Sequence, residues 1–312
     1  MIILTGGAGF IGSNLLKKLN NLHYKDIILF DNLNKLKKKN IAQLSFKSIY
    51  FKDEIFDFLK SNKKKISIIF HFGACTNTLE KNWDYLYKNN FEYSKKLAIY
   101  SAKNKIKFIY ASSASIYGKK TGNFDEIKNL NFFKPLNFYA QSKLNFDKYI
   151  INNFKYNNKI IGLRFFNVYG KNENHKKNMA SPIHSFSKQI LNDKSCKIFG
   201  KFDGYSAGYH KRDFISVDDC TKINVWLMKK KINKMNIINI GTGNSVNFIQ
   251  IARQIIKNLG YGKIKTIKFP EKLKNGYQSY TKANLKSLRQ IGYKFNFIET
   301  STGIKNFIND VL

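Results

Sequence analysis

An α/β fold built on a doubly wound parallel sheet is predicted by three observations on the 312-residue chain. Short apolar runs alternate with helical patterns through the first half, four glycines cluster directly behind the first apolar run, and an acid closes the second. In chain order, 2–4 reads as a strand, 11–19 as a helix, 26–30 (DIILF) as a strand and 66–71 (ISIIFH) as a strand. Then come a helix at 83–102, a strand at 107–111 (KFIYA), a helix at 139–152 and a strand at 160–165. Apolar runs without polar alternation suit strands covered on both faces, as in parallel sheets flanked by helices. After Gly170 the pattern loosens into Asn-, Lys- and Gly-rich stretches such as KFDGYSAGYHKRD (201–213), which predicts a smaller C-terminal α/β domain assembled around a substrate. The expected boundaries are 1–166 with about 212–240 for the first domain, and 167–211 with 241–312 for the second.

The glycines lie in TGGAGFIGSN (5–14), where Gly6, Gly9 and Gly12 have the spacing G-x-x-G-x-x-G between a strand and a helix. In such a turn the first glycine permits the bend, the second lets the backbone approach a phosphate, and the third lets helix and strand pack closely. Amides at the helix N-terminus then face a pyrophosphate, where the macrodipole favours negative charge. Asp31, at the end of the next strand, is placed to accept ribose hydroxyls, a role associated with NAD. Yet Lys35, Lys37, Lys38 and Lys39 follow in DNLNKLKKKN, and any of them can neutralise the 2′-phosphate that marks NADP, so both readings stay open. HFGACT (71–76) ends another strand at its carboxyl edge, where ligands bind in open α/β sheets, and His71 reads as a satisfied strand-end histidine rather than a catalyst.

YASSASIYG (110–118) closes a strand with Ser112 and Ser113, and 26 residues after Ser113 comes YAQSK, Tyr139 to Lys143. A Y-x-x-x-K spacing on a helix puts both side chains on one face, one turn apart. A neighbouring ammonium favours the phenolate and makes tyrosine, with an ordinary pKa of about 10, a usable base. A lysine can also hold a nicotinamide ribose, and a serine hydroxyl can orient a substrate hydroxyl.

Composition excludes other classes. The formal charge of +35 invites a nucleic-acid reading, but only four of the 55 basic residues (Arg164, Arg212, Arg253 and Arg289) are arginine. The lysines travel with Asn, Ile, Phe and Tyr, all read from A- and T-rich codons, so a mutational bias accounts for them and no nucleic-acid partner is expected. No run of 18 apolar residues and no basic leader is seen, so no membrane partner and a cytoplasmic location are expected. Cys75, Cys196 and Cys220 lack metal-type spacing, and free thiols with no metal site are expected.

TGGAGFIG, YASSASIYG and YAQSK together resemble the extended short-chain dehydrogenase/reductase superfamily, which implies a Rossmann-type fold. PLNFYAQSK, RFFNVYG, NHKKNMAS, KRDF, NIGTG and FPEKLKNGYQSYTKANL narrow the resemblance to the ADP-L-glycero-D-manno-heptose 6-epimerase family, over nearly the whole chain. That resemblance implies Tyr139 and Lys176 as two acid/base residues, with Ser113 assisting and Lys143 holding the cofactor. It implies tightly bound NADP, with NAD the other candidate. The cofactor residues would be Gly6, Gly9, Phe10, Ile11, Gly12, Asp31, Asn32, Lys38, Lys52, Phe72, Gly73, Ala74, Cys75, Thr76, Asn89, Lys143 and His175. Ser113, Asn167, Asn178, Ser185, Phe199, Arg212 and Tyr277 are implied as substrate-binding.

The implied reaction inverts C6 of an ADP-heptose through a 6-ketone, with no net redox, for the lipopolysaccharide inner core, and the implied assembly is a homo-oligomer, a homopentamer in the family. Lys171-Asn172-Glu173 stands where the family commonly has Pro-Arg-Glu, and extra residues occur around 203–210 and between Ser113 and Tyr139. Other readings remain open: a UDP-hexose 4-epimerase, which has no need of Lys176, and a dinucleotide-binding protein without catalysis. Arg212 beside Asp213 is open to a plain surface ion pair as well as to holding a diphosphate.

Overall fold

The computed structural model describes residues 1–119, 122, 124–126, 130–155, 157–232 and 237–311. Its regular elements begin with β1 (Ile2–Thr5), α1 (Phe10–Asn20), β2 (Ile27–Phe30), α2 (Lys35–Ile41), β3 (Ser48–Tyr50), α3 (Ile55–Ser61) and β4 (Ile68–His71). They continue with α4 (Trp83–Leu86), a π-helical turn (Tyr87–Glu92), α5 (Tyr93–Lys103), β5 (Lys107–Ser113), α6 (Phe138–Phe154), β6 (Ile160–Phe165) and β7 (Asn167–Tyr169). The remainder comprises α7 (Pro182–Asp193), β8 (Ser195–Phe199), β9 (Lys211–Ser216), α8 (Val217–Lys229), β10 (Ile237–Ile240), β11 (Ser245–Asn247), α9 (Phe248–Leu259), β12 (Lys263–Ile267), α10 (Lys286–Gln290) and α11 (Thr300–Val311).

Two compact units result: Met1–Ser113 with Phe138–Arg164 and Cys220–Ile238, and Ala114–Asn137 with Phe165–Asp219 and Asn239–Leu312. The first unit is organised by a seven-stranded parallel sheet in the order β10-β6-β5-β4-β1-β2-β3 with flanking helices, a Rossmann-like arrangement. In register, Ile2 pairs with Ile27 on one side and Ile68 on the other, and His71 pairs with Tyr110. Every residue of β1, β2 and β4 is buried, which is why these strands read as unbroken apolar runs. The core of this unit gathers Ile3, Ile28, Phe30, Leu59, Ile69, Leu97, Phe108 and Ile150. The second unit carries a three-stranded sheet, β11-β9-β7, and a two-stranded one, β12-β8, around Ile183, Ile190, Ile198, Phe214, Ile251, Ile255 and Phe307.

Three differences from the sequence expectations have physical causes. The stretch 31–65 carries α2, β3 and α3, which periodicity did not reveal because α2 buries only Ile41 and β3 is a half-buried edge strand. The expected single helix 83–102 is broken by the π turn, where Asn90 is drawn fully inside to bond the Cys75 backbone in both directions. After Gly170 the chain is regular rather than loose: Ser181 caps α7 ahead of Pro182, and an Asn247/Gln250 capping box starts α9, which Gly260 ends. The division also runs differently from the boundaries read in sequence. Residues 114–137 group with the second unit, where Phe124 bridges Ala283 and Glu126 accepts from Asn239 N–H. Residues 212–219 join them, since Asp213 is bonded to Thr242 and Ala283; 233–236 lie outside the described residues.

Candidate active site

In the first unit the glycine turn follows β1 and opens α1. Gly6 has φ +67, a conformation that favours glycine, and a Cβ there would sit 2.6 Å from Gly73 N. At Gly12 a Cβ would lie 2.1 Å from Gly6 O, so only glycine lets α1 start this close to β1. Gly9 stands at the N-cap of α1 and makes no side-chain cap hydrogen bond, so the glycine turn opens directly onto a helix N-terminus, the setting in which a dinucleotide pyrophosphate is held. Gly73 also donates to Thr5 Oγ1 (3.2 Å), so Phe72 and Gly73 border this turn, and of Ala74, Cys75 and Thr76, which follow, Cys75 is bonded through its backbone to Asn90.

Asp31 directly follows β2 and is almost fully buried, and its carboxylate is already engaged: Ala8 N–H at 2.9 Å, Asn32 N–H at 2.7 Å and Lys37 Nζ at 2.6 Å. Of the four lysines in the following stretch, Lys37 is the one bonded to this acid among the described contacts. Lys52 donates to Asn89 Oδ1 (2.6 Å), which joins two residues expected to serve the cofactor. His71 is the satisfied strand-end histidine the sequence suggested, bonded to Thr5 and Ser94, and burial chiefly, then Lys143, lowers its pKa to about 3.

Three turns of α6 face β5 as a ladder. Ser113 hydrogen-bonds Tyr139, Lys143 Nζ donates to Ala111 O (2.9 Å), and Asp147 accepts from Ser112 Oγ and Tyr110 Oη, both at 2.9 Å. Asp147 is in turn paired with Arg164 (2.8 Å), both fully buried. Tyr139 differs from the expectation. Burial pushes its phenol up, Cys75 adds to that, and only the Ser113 bond pulls it down. Lys143 is directed to a carbonyl and is itself brought down to about 8 by burial. Asp147 and Arg164 were missed in the sequence; the i+4 spacing running on from Tyr139 and Lys143 was the signal for the first.

In the second unit, Arg212 is buried on β9, stacked on Tyr277 at 4.8 Å and near Phe248 at 5.7 Å. Burial disfavours its charge and the Tyr277 hydroxyl offsets that. Asp213, on the other face of the strand, is used by Thr242, Gly243 and Ala283, so these two neighbours do not form a surface pair. Phe199 joins Tyr277 (ring centroids 6.3 Å), and the extra residues near 203–210 fold beside them, with Phe202 stacked on Phe269 at 4.1 Å. Lys176 and half-buried His175 lie on the Asn174–Met179 turn, with Lys176 Nζ 3.3 Å from buried Glu173. Asn178 is exposed, while Asn167 on β7 and Ser185 on α7 are half-buried.

The family model described as the NAD dependent epimerase/dehydratase family matches residues 2–241. This chain belongs to that family. Among curated relatives, the ADP-L-glycero-D-manno-heptose-6-epimerase of Brachyspira hyodysenteriae is 42% identical, over 98% of this chain and 96% of its own. The enzyme of the same name from Alkalilimnicola ehrlichii is 40% identical, over 100% and 97%. The crystal structure of the Helicobacter pylori ADP-L-glycero-D-manno-heptose-6-epimerase superposes with a TM-score of 0.84 at 28% identity, covering 99% of this chain and 95% of that one. The likeness to these curated relatives makes the chain an isomerase of the epimerase class, and the family works with a nicotinamide dinucleotide. Among the described residues no helix is long and apolar enough to cross a membrane.

Proposed function

We propose that this enzyme converts ADP-D-glycero-D-manno-heptose into ADP-L-glycero-D-manno-heptose at C6 through a transient 6-ketone, in the route to the lipopolysaccharide inner core. The observation that carries this reading is near-full-length identity above 40% to an enzyme of that name in a chain that retains Ser113, Tyr139, Lys143 and Lys176. A nicotinamide dinucleotide, when held here, would supply the hydride acceptor and donor, and the positive charge of its oxidised ring would favour the Tyr139 phenolate.

Ser113 orients the C6 hydroxyl and shares its proton with Tyr139, which takes it as the ketone forms. Lys176 is the second acid/base group, since inversion needs proton transfer on both faces of the carbon. Lys143 holds the nicotinamide ribose, and Asp147 and Arg164 fix the register of α6 on β5. Arg212 with Tyr277 and Phe199 suits a nucleoside diphosphate, an arginine fork for the phosphates beside aromatic faces for the base. The reading takes NADP as the cofactor. Support comes from Asp31, whose oxygens are bonded to backbone amides and whose charge Lys37 cancels, so that it does not repel a 2′-phosphate. The assembly is read as a homopentamer and the location as cytoplasmic.

The test is incubation with ADP-D-glycero-β-D-manno-heptose without added cofactor, with C6 stereochemistry followed by NMR. Conversion by the wild type is expected, with losses of about 10²–10⁴-fold in Tyr139→Phe and Lys176→Met. A folded, cofactor-loaded wild type that leaves the heptose unchanged would sink the reading.

A further inference from the structure

Glu173 has no part in the mechanism above, yet it is fully buried and bonded on every side. Its Oε1 accepts from Gly170 N–H (3.2 Å) and Ser181 Oγ (2.7 Å), and its Oε2 from Ser181 N–H (2.6 Å) and Lys176 Nζ (3.3 Å). One carboxylate therefore ties the start of the 170–181 segment to its end and takes hold of the lysine carried at its middle. The Lys176 side chain is only 20% exposed.

The backbone beside it is held against its preference. Lys177 has φ 49 and ψ −121, a conformation suited to glycine, and such a residue persists only where its surroundings over-determine it. Glu173 supplies restraint on the near side, where Lys176 N–H also bonds Glu173 O (2.9 Å), and the turn closes on the far side through Ala180 N–H to Lys177 O (3.1 Å). Among the described residues, His184, whose ring bonds Asn174 Oδ1 at 2.9 Å, and Asp310, which pairs with Lys171 at 2.9 Å, are further titratable groups bonded to the segment; burial lowers the His184 pKa, Glu173 raises it, and Lys188 and Lys176 lower it.

We infer that Glu173 is the positioning residue of Lys176, fixing where the second acid/base group presents its ammonium. The inference rests on the reading of Lys176 given above. A buried carboxylate that served only to close the loop would be satisfied by its three contacts to Gly170 and Ser181. The fourth, to the lysine, spans just three residues and aims the side chain instead.

The experiment is a double-mutant cycle on the full-length, cofactor-loaded enzyme, with Glu173→Gln, Lys176→Met and both together, each melted to verify folding. Glu173→Gln is expected to lower kcat about 10–100-fold with KM for the ADP-heptose within about twofold, as misplacing a reacting group by about 1 Å does. In the Lys176→Met background the same change is expected to cost nothing more, and residual turnover is read by NMR over long incubations. A purely structural Glu173 would slow both backgrounds by the same factor or raise KM, and either result overturns the inference. So would a Glu173→Gln enzyme with wild-type kcat. Should Glu173→Gln fail to fold, Glu173→Asp, which keeps the charge but retracts it by one methylene, replaces it in the cycle with the same expected signs. Wild-type turnover in Lys176→Met would instead overturn the acid/base role of Lys176, an outcome separate from failure at Glu173.

Discussion

His71 shows how much a single buried side chain can be made to specify. The Ser94 hydroxyl donates its one proton to Asn90 O (2.8 Å), so the 2.8 Å contact with His71 Nε2 assigns the imidazole proton to Nε2. Nδ1 then accepts from Thr5 Oγ1 (2.6 Å), which in turn accepts from Gly73 N–H. Every role is filled by the neutral ring, and a second proton would have to displace the Thr5 donor. With its pKa near 3 when folded and 6.5 as the ordinary value, His71 binds a proton in the unfolded chain that the native chain refuses. Its contribution to stability is therefore complete above about pH 6.5 and falls as pH drops toward 3, by about 1.4 kcal/mol per unit in that window. Urea unfolding at pH 7, 6, 5 and 4.5 is expected to show the stability gap between wild type and His71→Gln shrinking at that rate. A gap that stays constant would mean that His71 is charged in the native state.

At the scale of elements, what the sequence displayed and what it hid divide by where the restraint comes from. The strands β1, β2 and β4 and the helix α1 were legible because apolar runs and the glycine turn act locally. The π turn was not, since its cause is Asn90 reaching a backbone 15 residues away, a contact no helical period encodes. The 170–181 segment was legible in composition alone: nothing in NHKKN separates Lys176 from Lys177, whereas the structure draws Lys176 against buried Glu173 and leaves Lys177 exposed. Lys177 pays the conformational cost there, about 1–3 kcal/mol for a residue in such a region, against about 0.5–1 kcal/mol of extra chain entropy that glycine would lose on folding. Lys177→Gly is thus expected to raise the unfolding free energy by about 1 kcal/mol, measured by urea titration. A loss of stability would show that the lysine side chain itself contributes more than its backbone costs.

For the molecule as a whole, the excess of positive charge is legible in full and its physical effect is distinct from any partner. With 55 basic and 20 acidic side chains, most lysines cannot have an acidic neighbour of their own, and the exposed pairs that form, such as Lys60 with Asp57 and Lys274 with Glu271, are of the kind that contributes little. The dominant long-range electrostatic term is then self-repulsion of the folded chain, which is more compact than the unfolded one and so suffers it more. Salt screens that term over about 10 Å at 0.1 M. Stability is accordingly expected to rise with ionic strength, the reverse of a protein held together by surface ion pairs. Thermal melts in sodium chloride from 20 to 300 mM, a salt chosen because sulfate and phosphate also act through exclusion from apolar surface, should show the unfolding midpoint climbing by about 2–4 °C for each kcal/mol relieved. A flat or falling midpoint would mean that the lysines are spaced widely enough for solvent to screen them already, and that the charge carries no stability cost for selection to remove.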